Sequence, residues 1–151
     1  MGILSRFGDI ISSNINALLD KAEDPAKMVD EYLRKMTDDL AEVKKETAGV
    51  MAEESRTKRL VDDNTTQVAK YEDLAKKELM AGSEDDARVF LAKKQEMESA
   101  GAGLQTAYAT AHENAVKMRQ MHDKLVRDIN TLNGRRQAIK AKVAVAKTQD
   151  R

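Results

Sequence analysis

The architecture follows from residues 87–146, which read ARVFLAKKQEMESAGAGLQTAYATAHENAVKMRQMHDKLVRDINTLNGRRQAIKAKVAVA. Apolar side chains recur at alternating steps of three and four residues, from Ala87 to Ala146. Four positions of this stripe are exceptions, namely Lys94, Gly101, His122 and Arg136. A mean period of about 3.5 residues over so many turns is typical of a helix that winds around a partner in a left-handed coiled coil.

A second stripe with the same spacing occupies residues 29–78, and chain breakers separate it from its neighbours. Asp24-Pro25 is a typical helix start, because Asp caps free N–H groups and Pro has no N–H to lose at the first helical position. Gly82-Ser83 is the second break, and the three acidic residues after it suit a helix N-terminus. The sequence therefore predicts two helical arms, 25–81 and 84–147, joined by a turn at Gly82 and Ser83.

The two stripes match when the arms fold antiparallel about that turn. Apolar residues then face each other in most layers, for example in the pairs Leu33–Leu132, Leu40–Leu125, Val61–Leu104 and Val68–Met97. We predict an all-α protein in which residues 24–151 form a long antiparallel coiled-coil hairpin. One part of the seam is weaker, with the pairs Glu54–Ala111, Thr57–Tyr108 and Asn64–Gly101. Two interpretations stay open here: a tolerated weak patch, or a flexing point used in assembly.

The composition agrees with long helices. Among 151 residues, 34% are charged, 3% are aromatic, one is Pro and none is Cys, and the net charge is zero. Such values exclude a β-sandwich and a doubly wound α/β domain, and they exclude disulfides and thiolate metal sites. No stretch is apolar and long enough to span a bilayer, and no signal-peptide pattern begins the chain, so the sequence predicts a cytoplasmic protein.

Motifs that carry chemistry are missing from the sequence. No glycine-rich phosphate loop is present, and His112 and His122 stand in no metal-ligating pattern. His122 falls on the seam opposite Val43, where a core or half-buried histidine is expected. We therefore predict no catalytic residues, no metal and no cofactor, and hence no enzyme. The basic part of the chain lacks interleaved aromatic residues, so we expect no nucleic-acid partner.

Residues 1–23 form a separate segment that we predict to be an amphipathic helix. At 100° per residue its large apolar side chains fall within one half of the helix circumference. This face consists of Ile3, Leu4, Phe7, Ile10, Ile11, Ile15, Leu18 and Leu19. Such a helix is either a docked core helix or an interfacial membrane helix, and we predict the latter, because a two-helix hairpin offers no groove that covers so wide a face.

Basic residues are concentrated near the end of the chain. Between residues 117 and 147, nine basic side chains stand against only Asp123 and Asp128. The nine are Lys117, Arg119, Lys124, Arg127, Arg135, Arg136, Lys140, Lys142 and Lys147. These residues either form a solvated helix face, or contact anionic headgroups or an acidic surface of a neighbouring subunit.

Apolar residues also lie beside the seam, where a two-helix hairpin leaves them uncovered. They are Met28, Tyr32, Met51, Leu60, Leu74, Leu79, Leu91 and Met121. Apolar positions beside the seam of a long hairpin usually pack against further helices. The sequence therefore predicts a homo-oligomer.

An ordered set of short segments resembles the family of phage shock protein A and the vesicle-inducing protein in plastids. The segments are MGILSRF (1–7), NINALLDKAEDP (14–25), MVDEYL (28–33), GSEDDAR (82–88) and AVAKT (144–148). The resemblance covers essentially the whole chain, although none of these segments is a catalytic fingerprint.

The resemblance implies an ESCRT-III-like fold in a bacterial protein of the membrane stress response. Such proteins bind anionic or packing-stressed bilayers as peripheral proteins on the inner face of the plasma membrane, and they polymerise into rods or rings that protect or remodel the bilayer. Family members carry further helices after the position of Arg151. Two alternatives stay open: a regulatory coiled coil that sequesters a protein such as a transcriptional activator, and a purely structural coiled coil whose N-terminal helix folds back onto the hairpin.

Overall fold

A computed structural model describes residue 8 and residues 12–149 of the chain. Three helices lie wholly within these residues: α1 (Ile15–Asp20), α2 (Pro25–Met80) and α3 (Glu84–Gln149). No strand occurs in this part of the chain. The predicted all-α fold with two long helices packing against each other is confirmed.

The connection between α2 and α3 consists of the three residues 81–83. Ser83 N–H donates to the Glu78 carbonyl at 2.8 Å and Gly82 N–H to the Leu79 carbonyl at 3.1 Å, the two hydrogen bonds of a Schellman cap. Gly82 has φ +83°, a conformation that glycine adopts without a steric penalty. Ser83 then opens α3, and its hydroxyl donates to Asp86 Oδ2 at 2.8 Å.

The chain divides into two compact units, and both long helices contribute to each. The first unit consists of Met1–Gly49 and Val116–Arg151, and the second of Val50–Ala115. The second unit therefore contains the turn, and the first contains α1, the beginning of α2 and the end of α3.

The register of the second unit agrees with the predicted seam. The Asn64 side chain donates to the Met97 carbonyl at 2.8 Å, and its Oδ1 lies against Gly101, the residue predicted to face it. His112 Nδ1 lies 2.6 Å from Glu54 Oε2, one position from the predicted Glu54–Ala111 pair. The contacting residue on α3 has a lower residue number when the residue on α2 has a higher one, so the helices run antiparallel here.

The first unit is also antiparallel and has the larger buried side chains. Arg136 Nε lies 2.8 Å from Asp30 Oδ1, next to the predicted layer of Val29 and Arg136. Six large side chains of the long helices are fully buried in this unit: Val29, Val43, Met118, Met121, Leu125 and Leu132. Five of them occupy predicted seam positions, and Met121 was predicted to lie beside the seam.

The N-terminal segment differs from the sequence prediction of one helix through residue 22. Ser13 and Asn14 are not helical, and α1 begins only at Ile15. Asn14 has extended dihedrals, φ −112° and ψ 103°, and its Oδ1 accepts a hydrogen bond from the Ala17 N–H at 3.2 Å. Asparagine competes with the helix for backbone hydrogen bonds and favours capping positions, so the predicted unbroken helix is wrong at this point.

Candidate functional site

Helix α1 lies in the first unit with its apolar side against the long helices. Ile15 retains 4% of its surface and Leu19 retains none. Both belong to a hydrophobic cluster whose other members come from α2 and α3, namely Val29 and Leu132, with the partly buried Met28, Tyr32, Leu33, Met36 and Ile139 around them. The spacing of Ile15 and Leu19 by four residues puts them on one face, and this face is the one that packs.

Leu18 has a different environment from its neighbour Leu19. It retains 43% of its surface and borders two shallow grooves of about 170 and 400 Å³. Tyr32 of α2 lines both grooves beside it. An exposed leucine next to a half-buried tyrosine gives this side of the first unit an accessible apolar surface that polar groups border, with Lys21 and Lys27 lining the larger groove.

Arg135 of α3 contacts the polar side of α1. Arg135 Nη2 lies 2.7 Å from Asp20 Oδ1. Arg135 Nη1 donates to the Asn16 carbonyl at 3.2 Å and lies 3.4 Å from its side-chain oxygen. The planar guanidinium thus contacts both ends of this short helix, a task that suits arginine because its donors are fixed in a fork. We call Arg135, Asn16 and Asp20 the Arg135 clamp.

The predicted membrane-binding residues fall into three groups. Leu18 is exposed, whereas Ile15 and Leu19 are buried within the first unit. For Ile15 and Leu19 the expectation of a free apolar face is wrong in this conformation, because the cluster around Val29 and Leu132 already covers them. The remaining five lie outside the described residues: Ile3, Leu4, Phe7, Ile10 and Ile11.

The basic residues predicted to contact headgroups or a second subunit also fall into groups, according to whether they interact within the chain. Arg135 and Arg136 pair with Asp20 and Asp30, and Lys124 Nζ lies 2.6 Å from Asp128 Oδ2. Lys117 and Arg119 have interactions of their own. Four residues are exposed and form no ion pair with another described residue: Arg127, Lys140, Lys142 and Lys147. The charge left for an external partner is therefore smaller than the sequence count indicates.

The apolar residues beside the seam are covered in one unit and exposed in the other. In the first unit Met121 retains 1% of its surface, and Met28 and Tyr32 pack against the α1 cluster. In the second unit four of these residues are exposed: Met51, Leu60, Leu79 and Leu91. Within the described residues the chain itself covers such positions in the first unit, and the prediction that further copies cover the remainder stays a prediction.

Metal binding has no candidate site among the residues that the structure describes. These residues contain no group of three or more histidine, cysteine or carboxylate side chains that could hold a metal ion. His122 Nδ1 lies 3.1 Å from Asp123 Oδ1 on its own helix, and its side chain is about one third exposed, as expected of a half-buried seam histidine. No described helix is both long enough and apolar enough to cross a membrane.

Sequence reasoning missed two sets of contacts in the first unit. It did not find the Arg135 clamp, because helical periodicity says nothing about which residue of a distant helix meets Asp20. It also missed the buried Lys124–Asp128 pair, although a spacing of four residues between opposite charges is a recognisable signal. The side chain of Asp128 is only 8% exposed, so this pair lies on a covered face of α3 rather than on a solvated one.

Comparison with known proteins places these features in a family context. The PspA/IM30 family model matches residues 2–151. The chain is 58% identical over 151 residues to the phage shock protein A homolog of Bacillus subtilis (strain 168), an alignment that covers 100% of this chain and 66% of that protein. It is 34% identical over 149 residues to the membrane-associated protein Vipp1 of Synechocystis sp., covering 99% of this chain and 51% of that protein.

A more distant relative is protein LiaH of Bacillus subtilis (strain 168), which is 22% identical over 148 residues. The chain thus spans between about half and two thirds of the length of these relatives.

Proposed function

The chain belongs to the PspA/IM30 family, and from this premise we propose that it is a non-enzymatic scaffold of the membrane stress response. It binds the inner face of the plasma membrane as a peripheral protein through residues 1–23, and it polymerises with copies of itself to protect or remodel the bilayer. The name of the relative Vipp1 describes that protein as membrane-associated, which supports the membrane part of the proposal.

The observation that carries the proposal is the apolar face of the N-terminal segment together with the exposure of Leu18 at its end. Eight large apolar side chains recur at helical spacing along residues 3–19, on both sides of the interruption at Ser13 and Asn14, and Leu18 keeps 43% of its surface accessible. The polar side has little net charge, with Arg6 and Lys21 against Asp9 and Asp20. Binding therefore depends mainly on burial of apolar area, which makes it sensitive to lipid packing.

Self-assembly is supported by the exposed apolar residues of the second unit. Met51, Leu60, Leu79 and Leu91 are between 38% and 59% exposed. Leu79 and Leu91 also line a groove of about 360 Å³ near the turn, together with the buried Ala75 and Ala87 and with charged residues of both long helices. An apolar floor with a polar rim is the usual anatomy of a protein interface. A second copy of the chain is the occupant that we propose.

Vesicle flotation tests the membrane part. We expect the chain to float with small vesicles of phosphatidylcholine and phosphatidylglycerol, and we expect deletion of residues 1–23 to abolish flotation. Phe7→Glu and Leu18→Glu should each reduce the bound fraction at least about fivefold, because each places a carboxylate in the apolar face. Gln120→Glu is the matched control, since it adds the same charge at an exposed position of α3.

Three outcomes of flotation discriminate between proposals. Loss of binding in Phe7→Glu and Leu18→Glu but not in Gln120→Glu supports residues 1–23 as the membrane element. Equal flotation of the deleted chain would assign binding to the basic residues of α3 instead. No flotation of any variant would contradict the proposal and favour a regulatory coiled coil, and circular dichroism of each variant checks that the hairpin is intact.

A further inference from the structure

The apolar face of the N-terminal segment has two uses that exclude each other. Leu19 retains none of its surface and Ile15 retains 4%, because both pack in the cluster with Val29 and Leu132. A side chain in that cluster cannot at the same time lie among acyl chains. Insertion of the whole face into a bilayer therefore requires α1 to leave the first unit.

The docked position is held by contacts of two kinds. The apolar contacts of Ile15 and Leu19 are non-directional, whereas the Arg135 clamp fixes the orientation of α1 through its contacts to Asp20 and Asn16. The clamp is at the surface, since the side chains of Arg135 and Asp20 are 31% and 65% exposed. Arg135 and Asp20 can therefore be substituted without truncating any side chain of the apolar cluster.

We propose that α1 is a latch that regulates membrane binding, with Arg135 as its catch. While Ile15 and Leu19 are docked and Arg135 holds Asp20, these two side chains are withheld from the bilayer, and Leu18 alone among the described residues of the face is exposed. Release of α1 makes Ile15 and Leu19 available as well. This inference rests on the proposed function, because it concerns the regulation of the same membrane-binding segment.

The latch follows the thermodynamics of two competing equilibria. A bilayer that binds only the released form shifts the population toward release. The apparent affinity for the bilayer is the affinity of the released form multiplied by the fraction of the protein that is released. Weakening the clamp raises the released fraction, so it must raise membrane binding. This direction is opposite to the electrostatic effect of removing a cation from a protein that binds an anionic surface.

Charge reversal at Arg135 provides the most direct test of the latch. Arg135→Asp places two carboxylates together, whereas Arg127→Asp makes the same change of charge at an exposed position of α3 with no ion pair to a described residue. On vesicles of phosphatidylcholine and phosphatidylglycerol we expect Arg135→Asp to bind roughly 3- to 10-fold more tightly than Arg127→Asp, the range expected for loss of a surface ion pair with a charged hydrogen bond.

The double variant Asp20→Arg with Arg135→Asp restores the pair at the original net charge. Its vesicle affinity should return to within about twofold of the unaltered chain. Arg135→Gln is the milder variant, in case charge reversal perturbs folding, and it should increase binding in the same direction. Circular dichroism of each protein reports whether the long helices are retained.

Hydrogen exchange without lipid measures the latch independently of membrane binding. The Lys21 N–H donates to the Ala17 carbonyl within α1 and the Ala22 N–H donates to the Leu19 carbonyl. We expect exchange of these amides to be roughly 3- to 10-fold faster in Arg135→Asp, unchanged in Arg127→Asp, and restored in the double variant.

The outcomes separate the latch from the proposed function. Faster exchange together with tighter binding in Arg135→Asp supports the latch. Unchanged exchange overturns it, and so does faster exchange with equal vesicle binding of Arg135→Asp and Arg127→Asp, while flotation of the unaltered chain upholds the proposed function. If no variant and no unaltered chain binds vesicles, the proposed function fails and the inhibitory role of the latch fails with it.

Discussion

Asn64 and Gly101 fit together across the second unit, because the space that a Cβ on residue 101 would occupy is filled by the Asn64 side chain. Asn64 Oδ1 lies 2.5 Å from that Cβ position. The same side chain donates to the Met97 carbonyl at 2.8 Å, which holds the amide in place. A polar seam residue that finds a partner in one alignment of the helices fixes that alignment, as a buried asparagine does in other coiled coils.

Gly101→Ala should therefore behave differently from Gly103→Ala. A Cβ at residue 103 meets nothing within 4 Å, so Gly103→Ala should stabilise the chain by about 0.5–1 kcal/mol through helix propensity. Gly101→Ala gains the same propensity but displaces Asn64 from Met97, so its net effect should be near zero, about 1 kcal/mol below that of Gly103→Ala. Urea unfolding followed by circular dichroism measures both.

The same two glycine substitutions in an Asn64→Ala variant test whether the Asn64 side chain causes the difference. In Asn64→Ala no amide occupies the space, so Gly101→Ala should stabilise as much as Gly103→Ala does. Equal stabilisation by Gly101→Ala and Gly103→Ala in the unaltered chain would show that Asn64 does not oppose a Cβ at residue 101.

Gly82→Ala should destabilise the hairpin by about 1 kcal/mol, because φ +83° is costly for a residue with a Cβ. Gly82→Asn should cost less, since asparagine tolerates this region better. Gly49→Ala is the matched control within α2, where a Cβ meets nothing within 4 Å, and it should stabilise. Thermal unfolding ranks the three variants, and a stable Gly82→Ala would contradict the Schellman cap.

Leu18 and Leu19 are adjacent and identical in chemistry, so truncating each one isolates the effect of docking. Leu19→Ala removes a fully buried side chain from the α1 cluster and should accelerate hydrogen exchange of the Lys21 amide at least about tenfold. Leu18→Ala should change that exchange less than about twofold, because Leu18 is largely exposed. Equal acceleration in the two variants would mean that α1 does not pack through Leu19.

Glu54 is a carboxylate at a seam position, with a side chain only 17% exposed and paired with His112 at 2.6 Å. Glu54→Leu should stabilise the chain by about 1 kcal/mol, since a well-packed apolar residue often replaces a half-buried seam carboxylate with a gain. His112 is about half exposed and can be solvated after the change. Glu53→Leu is the neighbouring control at an exposed position and should stay within about 0.5 kcal/mol.

Urea unfolding measures both leucine variants. A destabilising Glu54→Leu would identify the Glu54–His112 pair as a specific contact that the two helices require.

The hairpin could be predicted from local sequence features. The breakers Asp24-Pro25 and Gly82-Ser83 placed the starts of α2 and α3 at residues 25 and 84, which the structure has as well. The register followed because two stripes of the same period can be aligned in few ways about a short turn. The polar pair Asn64–Gly101, expected from that alignment, is the one that the structure brings together.

The N-terminal segment could not be predicted in the same way. An apolar helical face can pack in a protein core or insert into a bilayer equally well, so periodicity alone does not distinguish between these two environments. The sequence favoured a free face because a two-helix hairpin by itself offers no groove that covers it. For Ile15 and Leu19 the cluster of Val29 and Leu132 provides the cover.

The sequence by itself therefore determined the helical class, the turn and the pairing of the two arms, because these depend on periodicity and on residues with strong backbone preferences. Only the three-dimensional structure decided that Asn14 interrupts the N-terminal helical pattern and caps α1, that Leu18 is exposed while Leu19 is buried, and that Arg135 contacts Asp20. These features depend on contacts between residues more than a hundred positions apart, or on competition between a side chain and the backbone, and neither is encoded in a repeat.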